Sequence, residues 1–364
     1  MVAPEAFTPR WASPPGRTIR RALDAQGITV TDFAEMAGLS HQAAELLFLG
    51  EAPITMGVAR KLEQAVGGTV AFWVQRDGQY RDSLALIDAD RWAAGFPTAD
   101  LARLGWIERP MSWTARIQTL LGFFDVADAA AWQRAYGALL EGARYRMAAA
   151  LLEPKALAAW LRRAEVEAAS IETAPWSADA FRQALDAARP LTKLGDPARF
   201  VPALTDICAS AGVALVVVRA PTGCAASGAA RFANAVSPQI ALSARYLSDD
   251  HLWFTFYHEA AHLLLDGPGP VVVDVLEETS ARQIDDREAA ADAMAGELLL
   301  PSAVRDALPD PISPRDVLRA ARDAGVSPGI VVGQLQHAGV IRYRSRYNAL
   351  KRRYAWRGAT LETA

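Results

Sequence analysis

The stretch SDDHLWFTFYHEAAHLLLDG, residues 248–267, constrains the fold more than any other part of the chain. It reads as one helix from about Ser248 to Leu265, stopped by DGPGP. Most of its residues are apolar. Yet it carries His258, Glu259 and His262, two of the chain's five histidines with a glutamate beside the first. Polar groups buried on such a helix need partners, and a second element has to supply them.

The spacing suggests what the partner is. His258 and His262 lie one helical turn apart on one face, so both imidazoles can reach a single ion. Glu259 is rotated by about 100° from His258, where it can address the open side of that ion. His-Glu-x-x-His is the zinc-protease pattern, in which the glutamate activates water. The competing reading is a histidine pair on a partly buried helix with a solvated glutamate. A catalytic zinc needs a third protein ligand. The metzincin pattern would place a histidine at 268, where this chain has Pro268. Downstream, however, DREAAADAMAGELLLP reads as a helix from about Asp285 to Leu300, with Glu288 and Asp292 on one face. A carboxylate on this helix fits the third position. Asp292 could accept the proton on the outer nitrogen of a ligating histidine. The rest of that helix is largely apolar, so its carboxylates need a reason, which favours a metal centre.

Length and composition set the frame. The 364 residues suit two or three domains, and 51% apolar with 22% charged residues suits a globular protein with substantial cores. A formal net charge of −3 gives no global bias toward nucleic acid or membrane. No apolar run approaches a membrane span, and the first residues lack the pattern of a secretory signal. Cys208 and Cys224 are too few for a disulfide framework and wrongly spaced for a zinc ribbon, so they read as ordinary thiols of a cytoplasmic protein.

The expected organisation is multidomain and mainly α. A leader occupies 1–16, an all-α helix-turn-helix domain 17–90, a helical middle region 91–205, an α+β core 206–305, and a helical extension with a basic tail 306–364. In the first domain a helix begins near Thr31 and ends at Gly38. Ser40 caps a second that ends at Gly50, and a third runs from about Thr55 to Gly67-Gly68. In the middle region EPKALAAWLRRAEVEAASIE is an amphipathic helix with Pro154 in its first turn. In the core, GVALVVVRA, AARFANA and PQIALSARY read as strands ahead of the histidine helix. A strand near 229–243 is expected to hold an extended substrate by edge pairing.

FYHEAAHLLLDG, EAAADAMAGELLLP and AGVSPGIVVGQLQHAGVI together resemble the ImmA/IrrE family of zincin-like metallopeptidases, over about 200–355. The segment SGAARFANAVSPQIALS resembles that family's strand segment ahead of the metal helix. The first 85 residues resemble the XRE-type helix-turn-helix domains often joined to this peptidase. The resemblance implies a zinc centre held by His258, His262 and Glu288, with Glu259 as general base. It also implies a protein substrate, a repressor with its own helix-turn-helix, cleaved to release transcription under stress or mobile-element induction. His251, two turns before His258, is a candidate for stabilising the tetrahedral intermediate.

Nucleic-acid contacts are harder to place. The second helix of the first domain, SHQAAELLFLG, has no arginine or lysine, and residues 15–84 carry seven basic and eight acidic side chains. Ser40, His41 and Gln42 are its candidate base readers, but duplex affinity comes mainly from phosphate neutralisation. The rival reading of that domain is a protein-interaction module or homodimer. Residues 340–357 hold seven basic residues, among them Arg344, Arg346, Arg352 and Arg353, and no acids. Interleaved with tyrosine and tryptophan, they suit a single-stranded nucleic acid or phosphate ligand; the competing reading is a solvated helix packed through its aromatics. Two functions compete with the peptidase: a DNA-binding regulator whose peptidase-like domain only senses, and an antitoxin-like interaction protein. An intact Glu259 favours turnover.

Overall fold

The computed structural model describes residues 9–146, 153–233, 236–268, 272–274 and 286–364. The first eight residues of the leader, and Asn234–Ala235 at the end of the second expected strand, lie outside them. The chain divides into two compact units, one of Met1–Gly95 with Pro110–Leu120, the other of Phe96–Arg109 with Leu121–Ala364.

The first unit contains α1 (Pro15–Gln26), α2 (Val30–Met36), α3 (His41–Leu49), α4 (Met56–Val66) and the long α5 (Val70–Ala94). Local chemistry sets their ends. Thr29 and Asp32 form a reciprocal capping box on α2, while Ser40 and Thr55 cap α3 and α4 through their hydroxyls. Gly50 closes α3 in the left-handed conformation that favours glycine. Ile19, Phe33, Leu47, Leu62 and Trp73 meet in one apolar core, with Phe33 and Phe48 edge to face at 5.9 Å.

The chain continues through α6 (Thr98–Arg103), α7 (Trp113–Phe124), α8 (Ala129–Arg146), α9 (Pro154–Ala168), α10 (Ala178–Ala188) and α11 (Pro197–Ser210). Strands β1 (Ala214–Val217), β2 (Gly228–Phe232) and β3 (Pro238–Leu242) precede α12 (Asp249–Leu265). Then come β4 (Val272–Asp274), α13 (Asp286–Leu299), the short α14 (Ser302–Arg305), α15 (Pro314–Ala324), α16 (Pro328–His337), β5 (Tyr354–Arg357) and β6 (Thr360–Thr363). The first four strands form one sheet in the order β1-β3-β2-β4, with β1 parallel to β3 and the other pairs antiparallel.

Helix α9 covers the sheet face that carries Val216, Ala229 and Ala241. Its Trp160 is fully buried and donates its indole N–H to the Val218 carbonyl at 2.9 Å. Helix α12 lies on the opposite face. One core runs from Phe181 on α10 to Leu361 on β6, so the divisions expected near 205 and 305 fall inside it.

Two expectations need correcting. β3 is paired by β1 and β2, and β2 is paired by β3 along its length and by β4 over Gly228–Ala230, so β3 is an inner strand and β2 has β4 as its outer neighbour over those residues. The tail is not a continuous helical extension. After α16 it makes a 3-10 turn at Arg346–Leu350 and the β5–β6 hairpin, whose Tyr354 and Leu361 bury into the core from alternating positions. Among the described residues no helix is long and apolar enough to cross a membrane.

Candidate metal centre

Helix α12 is buried on almost every side from Asp249 to Leu263, as its apolar composition requires. Its first turn holds Asp249 and Asp250, carboxylates at the positive end of the helix dipole. Both are anchored. Asp249 accepts from the Ser327 hydroxyl at 2.8 Å and the Arg352 backbone N–H at 3.0 Å; burial pushes its carboxyl above the usual range, and the Ser327 hydrogen bond opposes that. Asp250 pairs with Lys351 Nζ at 2.5 Å, and both side chains are buried. Helix α16 packs closely here, because a Cβ on Gly333 would lie 2.7 Å from Asp250 Cβ.

Two turns along α12 the candidate ligand atoms converge. His258 Nε2 and His262 Nε2 are 3.0 Å apart, and the Glu288 carboxylate on α13 is 3.5 Å from the first and 3.7 Å from the second. All three residues are buried. Behind each imidazole stands another carboxylate. Asp292 Oδ1 is 2.8 Å from His258 Nδ1, and Asp266 Oδ2 is 2.8 Å from His262 Nδ1. With the outer nitrogens turned to these carboxylates, both Nε2 atoms and the Glu288 carboxylate face one point. The spacings also fit: a tetrahedral zinc with bonds near 2.1 Å places its ligand atoms roughly 3.4 Å apart. The donor set suits zinc.

Glu259, fully buried, faces strand β2. A Cβ on Gly228 would lie 2.5 Å from Glu259 Oε1 and 2.6 Å from Thr255 Cγ2, so only glycine allows the strand this close to the carboxylate. That contact and Asp266 both escaped the sequence reading. Asp266 was detectable, since it stands four residues after His262, the same interval that separates the histidines.

Other candidates lie elsewhere. His251, in the first turn of α12, stacks on Tyr246 at 4.4 Å between ring centres, and its Nε2 lies 3.9 Å from Asp250 Oδ2. Tyr257 is a core residue whose hydroxyl donates to the Leu185 carbonyl at 2.9 Å, and burial pushes its pKa up. Cys208 and Cys224 are free thiols, and burial pushes Cys224 up to about 12. Ser40, His41 and Gln42 are exposed at the start of α3, although the Ser40 hydroxyl is engaged as its cap. In the basic tail Arg344, Arg346 and Arg353 are exposed. Arg352 is not available to a phosphate: its guanidinium donates to the Thr192 and Lys193 carbonyls.

Comparison with known families falls on this region. No curated protein and no solved structure gives a match. Residues 212–335, about a third of the chain, match the peptidase M78 family model, described as an IrrE N-terminal-like domain. The match spans β1 to α16 and contains His258, Glu259, His262, Glu288 and Asp292. Over that stretch the chain is similar to metallopeptidases of the IrrE type.

Proposed function

We propose that the chain is a zinc-dependent endopeptidase of the regulatory kind, with His258, His262 and Glu288 as the metal ligands. The observation that carries this reading is the convergence of two imidazole Nε2 atoms and a carboxylate, each imidazole backed by its own aspartate. When bound, zinc supplies Lewis acidity to the substrate carbonyl and to the attacking water. Glu259 accepts the proton from that water and returns it to the leaving amine nitrogen. Gly228 keeps strand β2 tight against the Glu259 carboxylate, which fixes where the base sits. Asp292 and Asp266 hold the histidines in the tautomer that turns Nε2 toward the metal.

The substrate proposed is a repressor carrying a helix-turn-helix, whose cleavage releases transcription. The first unit, with α2 and α3 joined by a tight turn, is proposed as an XRE-type module that recognises this partner or DNA. Its net charge of −1 over residues 15–84 favours the protein partner. The test is incubation of the zinc-loaded chain and its Glu259→Gln variant with the product of the neighbouring gene. Cleavage by the parent, with none by a variant that keeps its zinc, is the expected result. Cleavage at the parent rate by Glu259→Gln removes the mechanism. Binding without cleavage by both would favour the sensor reading.

A further inference from the structure

The basic tail contains aromatic residues, but the fold has already used most of them. Tyr347 donates its hydroxyl to the Ile312 carbonyl at 2.5 Å and lies under Arg346. Tyr354 is buried and Trp356 packs against the core. Stacking platforms for bases are therefore largely spent, which weakens a single-strand reading. What remains at the surface is Tyr343 and the charge around it. Arg342, Arg344 and Arg346 are exposed, and among the described residues no carboxylate pairs with them.

This charge has a defined place. Gln336 on α16 is buried and donates to the Arg342 carbonyl at 3.1 Å and to the Tyr343 carbonyl at 3.2 Å. Asn348 donates to the Tyr343 carbonyl at 2.7 Å. The loop backbone is thus pinned to the end of α16, directly beside His337. The His337 ring lies 5.7 Å from Phe254, and Phe254 lies 6.0 Å from the metal-binding His258. Phe254 precedes His258 by four residues and shares its face of α12. Exposure rises along this run, from a fully buried His258 through Phe254 to an exposed His337. An extended peptide advances about 3.3 Å per residue, so roughly four residues span the two ring-to-ring steps.

We propose that Arg342, Arg344 and Arg346, with His337, form a docking rim for an acidic segment of the polypeptide substrate, a few residues from the scissile bond. The inference rests on the peptidase reading, but its test does not require turnover. Cationic groups at the rim of a binding site act mainly by attracting the partner and fixing its register.

The test uses the full chain as zinc-loaded Glu259→Gln and a fluorescein-labelled peptide with a run of glutamates at one end and a neutral remainder. A lysine counterpart is the control, and both polarities are titrated by fluorescence anisotropy at low and physiological salt. The glutamate peptide should bind, the lysine peptide should not, and salt should weaken binding. Arg342→Glu with Arg344→Glu and Arg346→Glu should reduce affinity at least about tenfold, and the three Arg→Gln changes somewhat less. Zinc content and thermal unfolding should stay at parent values. Equal binding of both peptides, or unchanged affinity in the charge-reversed variant, overturns the proposal. So does an oligothymidylate that binds the parent more tightly than the glutamate peptide does. If the parent held no zinc, the peptidase reading would fall while the anisotropy series still decided the rim.

Discussion

Removing the aspartates behind the two histidines should weaken zinc binding without abolishing it. Asp292 and Asp266 each stand 2.8 Å from an outer imidazole nitrogen, on different histidines. Loss of such a partner typically costs ten- to a hundredfold in affinity, or about 1.4 to 2.7 kcal/mol. Because the aspartates act through different ligands, the factors for Asp292→Ala and Asp266→Ala should roughly multiply, giving about a hundred- to ten-thousandfold in the double variant. Asp292→Asn should lose less than Asp292→Ala, because its carbonyl oxygen still accepts from Nδ1–H although the charge is gone. Competition against a chromophoric chelator at fixed pH measures all four variants. Elemental analysis at saturating zinc should still give a full site in each. Unchanged affinity in either alanine variant would mean that its aspartate only packs the helix end and orients nothing.

Gly228→Ala should keep its zinc but lose cleavage, by about a hundredfold in kcat, since the new methyl must displace Glu259 by roughly 1 Å; parent activity in this variant would remove strand β2 from the account. Lys351→Met should destabilise the second unit by about 3 to 5 kcal/mol by leaving Asp250 buried and unpaired, with much of the loss recovered in Asp250→Asn/Lys351→Met. Denaturant unfolding reads that comparison, and equal loss in both variants would contradict it. The intact protein should bind random duplex DNA more weakly than about 10⁻⁵ M at physiological salt, since α3 carries no cation. A gel shift showing tight, sequence-specific binding that is lost in Gln42→Ala would overturn that expectation.

The parts of the site that follow a helical period were legible in the sequence. His258, Glu259 and His262 sit on α12 within a residue of its expected ends, and Glu288 and Asp292 sit together on α13. The cap at Ser40 was equally legible, because a single side chain and the next turn's backbone decide it. Features set by distant pairing were not. The order β1-β3-β2-β4 depends on which strands meet, so β2 and β3 passed for an available edge. Tyr354 and Trp356 alternate like a strand, but seven neighbouring cations suggested a solvated helix or a binding tail instead. Lys351 holds Asp250 on α12 and the Arg352 guanidinium holds the Thr192 and Lys193 carbonyls, partners more than a hundred residues away in sequence. No local pattern reveals that use of charge.

Metal content of the purified chain tests the central claim most directly. Elemental analysis should find about one zinc per chain in the parent and in Glu259→Gln, little or none in His262→Ala, and strongly reduced zinc in Glu288→Ala. Full occupancy in both ligand variants, or a parent that cannot be loaded with zinc, would contradict the account.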